Sequence, residues 1–97
     1  MPLTENQKRQ LRKLGHNLKP VVMIGANGYT DAVNEEINLA LEHHELIKVR
    51  VSGAERDSRD QMIKEMSERN NAELIQRIGH IALLFRRNKE KPRIELS

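Results

Sequence analysis

Ninety-seven residues, 37% apolar and 32% charged, support one hydrophobic core and no more, because a chain this short buries roughly 60 to 70% of its unfolded surface. The absence of cysteine excludes disulfides, thiolate zinc sites, iron–sulfur clusters and cysteine nucleophiles. The net charge of +3 is segregated: residues 1–29 balance to +4, residues 30–47 carry Asp31, Glu35, Glu36, Glu42 and Glu45 with no Lys or Arg, and residues 48–97 return to +4.

The first segment reads as a helix. Thr4 is a natural N-cap, Gln7 can return its side chain to the cap's backbone amide, and Gly15 can close the helix in a left-handed conformation. Its apolar content is mainly Leu11 and Leu14, so most of its circumference faces water or a partner. Beyond His16 to Pro20, the run Val21-Val22-Met23-Ile24 predicts a buried strand, broken by Gly25-Ala26-Asn27-Gly28. Thr30 can cap a second helix in which Val33, Ile37, Ala40, Leu41 and His44 recur at helical spacing and Asp31 stands at the positive end of the dipole; it ends near Glu45.

Ile47, Val49 and Val51 alternate with Lys48 and Arg50, the pattern of a strand with one apolar face, ended by Gly53. Met62, Ile63 and Met66 predict a third helix from about Ser58 to Arg69, with Asn70-Asn71 as its stop. Leu74, Gln76 and Ile78 then alternate with Ile75 and Arg77, and Gly79-His80 form a two-residue turn into Ile81-Ala82-Leu83-Leu84-Phe85-Arg86, with glycine at the first position suited to type II′. The two strand–helix–strand units favour parallel pairing through right-handed crossovers, and the final hairpin makes an antiparallel pair. The predicted fold class is α/β: a single compact domain over residues 1–97 in αβαβαββ order, with a mixed four-stranded sheet packed with helices and a basic C-terminal tail after about residue 88.

The richest local feature is Gly25-Ala26-Asn27-Gly28, between a buried strand and a helix. Two glycines let the backbone pass close to a ligand, and a helix N-terminus adds positive potential where a phosphate would sit. A plain tight connection looks the same, and it is the neighbouring cations that shift the balance. Lys19 precedes the strand that feeds the loop, and Lys8, Arg9, Arg12 and Lys13 form two like-charged i, i+4 pairs on the first helix, each repelling by roughly a few tenths of a kcal/mol. With only Glu5 nearby to relieve them, a polyanionic partner explains these cations at least as well as solvation. Lys48, and Arg86 and Arg87 held by the last strand, are further candidates, whereas the tail past Lys89 reads as a frayed, soluble terminus.

Tyr29 and Phe85 are the only aromatics, too few for recognition by several stacked rings on a sheet, so phosphate and shape contacts should dominate. Phe85 belongs to a core strand, while Tyr29 either packs or stacks on a base. His43 and His44 diverge by about 100° on a helix and His16 and His80 are isolated, so no metal site is read. Glu35, Glu36, Glu42 and Glu45 read as scattered over an exposed helix, without an acid/base pair.

The order of motifs resembles the YhbY family, the bacterial stand-alone form of the CRM (chloroplast RNA splicing and ribosome maturation) domain. The resemblance spans nearly the whole chain: Leu18-Lys19-Pro20-Val21-Val22, then Ile24-Gly25-Ala26-Asn27-Gly28-Tyr29-Thr30, then Ala40-Leu41-Glu42 leading into His44-Glu45-Leu46-Ile47-Lys48-Val49, and Ile78-Gly79 with Leu84-Phe85-Arg86. It implies a fold similar to the C-terminal domain of bacterial translation initiation factor 3, RNA binding through the loop Gly25, Ala26, Asn27 and Gly28, association with precursors of the large ribosomal subunit, and no enzymatic activity. Ala26 departs from the family, whose loop often carries a basic residue after its first glycine.

Residues and resemblance together predict a non-enzymatic RNA-binding protein that recognises ribosomal RNA in large-subunit precursors through Lys8, Arg9, Arg12, Lys13, Lys19, the loop with Tyr29, and Lys48 or Arg86. No cofactor, metal or small-molecule substrate is implied, and a monomer is expected. The polar start from Met1 to Lys8 lacks the apolar run of a signal peptide, and Ile81 to Phe85, the longest apolar run, is too short to cross a bilayer, so a cytoplasmic location without membrane is the expectation. The alternative is an adaptor docking on a ribosomal protein through the acidic second helix; an RNA-modifying enzyme is a third reading.

Overall fold

Helices cover both faces of a four-stranded sheet, and they cover them unequally. The computed structural model describes residues 3–52 and 55–97. In chain order the elements are α1 (Glu5–Gly15), β1 (Pro20–Ile24), α2 (Asp31–His44), β2 (Leu46–Val51), α3 (Arg56–Arg69), β3 (Glu73–Ile78) and β4 (Ile81–Phe85). This is the αβαβαββ order read from the sequence, with α3 starting two residues before Ser58. Gly53 as the end of β2, and Met1 and Pro2 of the polar start, lie outside the described residues.

The sheet runs β1-β2-β4-β3. β1 pairs with β2 in parallel, and β4 pairs antiparallel with both β2 and β3. Only the first strand–helix–strand unit therefore ends in a hydrogen-bonded parallel pair. The second leaves a gap one strand wide between β2 and β3, which β4 fills by folding back. A two-residue turn obliges β4 to lie beside β3, and its other edge then meets β2. Gly79 takes a positive φ of 56° in that turn, as its first position requires.

On one face α2 and α3 bury Ile37, Leu41, Ile63 and Met66 against Val22, Ile24, Ile47, Val49, Val51, Ala82 and Leu84 of the sheet. On the other, α1 lays Leu11 on Leu46, Ile75, Leu83 and Phe85, and Ile94 and Leu96 of the C-terminal segment join them. β2 thus departs from the one-faced strand: its first residue, Leu46, is buried on the α1 side while Ile47 is buried on the other.

α1 starts as its sequence predicts. The Gln7 amide donates to Thr4 Oγ1 at 3.1 Å and the Thr4 amide donates to Gln7 Oε1 at 3.0 Å, a reciprocal capping box. Its other end differs from the expectation. Gly15 is helical, not left-handed, and His16 forms the C-cap in a right-handed conformation. What Gly15 provides is closeness, since a Cβ there would lie 2.6 Å from Leu83 Cδ2. The helix seats its backbone directly on β4.

Two acidic and basic assignments also change. Glu45 is not on an exposed helix: it follows α2 with φ of 64° and is fully buried. Its carboxylate accepts hydrogen bonds from the backbone amides of Asn88 (2.7 Å), Arg93 (2.5 Å) and Ile94 (2.9 Å), and from the Arg87 guanidinium (3.2 Å). Burial alone would raise this carboxyl; the three amides and Arg87 outweigh it and hold it below the ordinary glutamate value. The tail past Lys89 is accordingly tied down, not frayed, with Ile94 and Leu96 packed near Leu11 and the Ser97 amide donating to Gln10 Oε1.

Candidate nucleic-acid interface

α1 covers the middle of its sheet face and stops there. Gly15 sits on Leu83, whose cross-strand neighbours are Lys48 on β2 and Gln76 on β3. Directly opposed residues share a face, so these three side chains emerge on the α1 side. Two residues along each strand, the next row on the same face is Met23, Arg50, Ile81 and Ile78, running across all four strands. Among the described residues no helix lies over it: Met23 is 70% exposed and Ile78 66%.

The C-terminal half of α1 borders this open strip. Arg9, Arg12, Lys13, His16 and Asn17 line one depression with Gln76 and Ile78. An adjoining one is lined by His16, Lys48, Gln76, Ile78, Ile81 and Leu83. Among the described residues neither lining contains a carboxylate. The acids of α2, Asp31, Glu35, Glu36 and Glu42, are exposed on the helix that packs against the opposite face of the sheet.

The glycine loop stands at the end of the sheet that carries the open row. The Gly28 amide donates to the Gly25 carbonyl at 3.0 Å, closing a four-residue turn, and Gly28 has φ of 74°. The Ser52 amide donates to the Ile24 carbonyl beside it, and the Val51 amide to the His80 carbonyl, which brings the β3–β4 turn to the same end. A Cβ on Gly25 would meet nothing within 4 Å, and its φ lies outside the left-handed region. The fold itself therefore places no demand for glycine at position 25.

The remaining sequence candidates separate. Lys8 is half-buried and 3.9 Å from Glu5. Lys19 lies on another side of α1, in an apolar groove with Leu14, Leu18 and Val21. Arg86 points into the α2 side, where its guanidinium donates to Asn38 Oδ1 (2.9 Å), the Asn38 and Asn70 carbonyls, and Glu42 (3.1 Å). Those partners engage it within the fold. Tyr29 packs beside the same core, donates its hydroxyl to Asn34 Oδ1, and carries the Arg69 guanidinium 5.5 Å from its ring centroid. Burial pushes this hydroxyl's pKa up, against the lowering charge of Arg69.

His16, Arg50, Gln76, Met23 and Ile78 were not singled out from the sequence. Alternation could have found two of them: Arg50 lies two residues from Lys48 on one face of β2, and Ile78 stands likewise to Gln76. Among the described residues no three His, Asp or Glu side chains gather as a metal would require.

A sequence model of the CRS1 / YhbY (CRM) domain matches residues 3–86, the whole of α1 to β4. The chain belongs to the CRS1/YhbY (CRM) domain family. CRM-family relatives include a protein of Pseudomonas aeruginosa named "Probable RNA-binding protein", 44% identical over 97 residues, spanning 100% of this chain and 92% of the relative. A Haemophilus influenzae protein named "RNA-binding protein" is 47% identical over 88 residues, covering 91% of this chain and 89% of its own. The solution structure of a Staphylococcus aureus protein, described as a candidate RNA-binding protein, superposes with a TM-score of 0.82 at 38% identity over 99% of this chain and 100% of that one. The CRM-type arrangement of helices on a mixed sheet is thus shared along the full length of the chain. Among the described residues no helix is long and apolar enough to cross a membrane.

Proposed function

We propose that this CRM-domain protein binds RNA on the α1 face of its sheet, as a non-catalytic factor acting on ribosomal RNA in precursors of the large subunit. The observation that carries the RNA reading is the gathering of Arg9, Arg12, Lys13, His16, Lys48 and Arg50 around one open surface, two depressions of which are lined, among the described residues, without a carboxylate, with the α2 acids turned away on the opposite face. A one-signed, concave surface concentrates a polyanion and orients its approach. The names of the relatives support the same reading, and the YhbY resemblance supports the ribosomal one.

In this reading the phosphates run along α1 and over Lys48, and the loop Gly25, Ala26, Asn27 and Gly28 offers backbone amides at the far end. Because Ala26 is neutral, the loop adds close approach and not charge. Lys8, beside Glu5, and Lys19, in the groove on another side of α1, contribute only at longer range. Arg86 supports the surface from beneath by fixing α2 and the end of α3 to the sheet, and Tyr29 by joining α2 to α3 through Asn34 and Arg69.

The test is salt dependence. Each phosphate contact releases condensed counterions, so log K falls with log salt by about 0.7 per contact on single-stranded RNA. Arg12→Ala with Lys13→Ala should flatten that slope by roughly one or two contacts. A slope identical to wild type would remove α1 from the interface. Crosslinking in cells followed by sequencing of the attached RNA tests the ribosomal assignment, and an absence of ribosomal precursor reads would overturn it.

A further inference from the structure

The row Met23–Arg50–Ile81–Ile78 is poorly matched to a purely phosphate-binding surface. Its two ends are the most exposed large apolar side chains among the described residues, at 70% and 66%. They sit on rigid strands, on the face carrying the α1 cations, between the C-terminus of α1 and the end of the sheet that bears the glycine loop. Arg50 lies between them, its Nε donating to Ser52 Oγ at 3.3 Å. Phosphates and ribose hydroxyls gain nothing from a methionine or an isoleucine. The flat faces of nucleobases do, and a guanidinium plane can stack on them as well.

In an A-form duplex those base faces are hidden within the stack and only edges, hydroxyls and phosphates are presented. A surface that pairs uncovered apolar side chains with cations along its border therefore fits a strand whose bases are unpaired. Crossing four strands, the row is about 14 Å long, comparable with the sheet platforms on which other folds take two or three bases. Resting on the RNA-binding reading above, we propose that Met23, Arg50, Ile81 and Ile78 form a base subsite, and that the RNA bound here is an unpaired stretch whose phosphates follow Arg12, Lys13 and Lys48. The subsite works without aromatic rings, by apolar contact and guanidinium stacking.

The test uses the full chain and three labelled probes in anisotropy titrations: an unstructured oligoribonucleotide, the same backbone with abasic positions, and a blunt duplex of equal length. Wild type should bind the unstructured strand about tenfold more tightly than the abasic one, the scale of one base contact. Met23→Ser with Ile78→Ser should weaken the unstructured strand about tenfold with an unchanged salt slope, and should leave the abasic and duplex probes unaffected. Both positions are exposed, and thermal unfolding checks that the double variant folds; should it not, the abasic comparison on wild type decides by itself. Equal affinity of wild type for intact and abasic strands would overturn the subsite. So would an undiminished affinity of a folded double variant for the unstructured strand, which would leave the row to a protein partner. A wild type that binds none of the probes at low salt would instead overturn the RNA reading on which the subsite rests.

Discussion

Two of three glycines answer demands of the fold and the third answers none, and substitutions separate them. At Gly15 the demand is packing: a Cβ would stand 2.6 Å and 2.7 Å from the two Leu83 methyls, and Leu83 is itself buried. Alanine would gain about 1 kcal/mol of helix propensity, while overpacking costs about 1 to 3 kcal/mol. Gly15→Ala should therefore lower stability by about 1 kcal/mol, read from urea unfolding, and a stabilised variant would show that α1 can lift off β4 freely. At Gly28 the demand is conformational, φ being 74°, so any side chain there strains the turn. Gly25 has neither constraint. Gly25→Ala should leave unfolding unchanged or slightly improved, and if the loop approaches RNA closely it should weaken binding. Wild-type affinity in that variant would reduce the loop to a connection.

At the scale of elements, the C-terminal segment becomes part of the fold through one carboxylate. Glu45 gathers the amides of Asn88, Arg93 and Ile94 and the Arg87 guanidinium, and Ile94 and Leu96 then close over the α1 side of the core. Glu45→Gln keeps the shape but replaces one accepting oxygen by a donor facing backbone amides, and should destabilise by about 2 to 3 kcal/mol. The sign with pH follows from the direction of the shift. The folded carboxyl titrates below its ordinary value of 4.5, so its stabilisation is fully present above that value and is lost as pH falls through the lower, folded one. The stability gap between wild type and Glu45→Gln should thus be flat near neutrality and shrink in acid below 4.5. A gap that persisted undiminished in acid would mean that the packing of the segment, not the carboxylate, holds it.

On the scale of the whole molecule, the sheet separates charge. The cations of α1 and β2 emerge on one face, while Asp31, Glu35, Glu36 and Glu42 ride on the helix covering the other. Field from the acids reaches the basic face only through long-range Coulomb repulsion of an approaching polyanion, which salt screens within about 8 Å at physiological ionic strength. Glu35→Gln with Glu36→Gln should leave the salt slope of RNA binding unchanged and raise affinity slightly at low salt. A steeper or flatter slope in this pair, with none in Arg12→Ala/Lys13→Ala, would put the binding face on α2 and favour the adaptor reading's surface.

By itself the sequence determined the order of elements, because Thr4, Thr30, Asn70 and Gly79 punctuate segments whose apolar spacing switches between helical and alternating periods, and these are local effects. It also determined that the cations from Lys8 to Lys13 and the acids from Asp31 to Glu42 sit on different helices. Only the tertiary structure decided which faces meet. Whether β4 meets β2, whether Glu45 faces water or three amides, and whether Arg86 reaches outward or back to Asn38 all depend on partners 16 to 49 residues away in the chain. The open row is of the same kind: Met23, Arg50, Ile81 and Ile78 come from four strands, and nothing local marks that the end of α1 at Gly15 falls against Leu83, one row short of covering them.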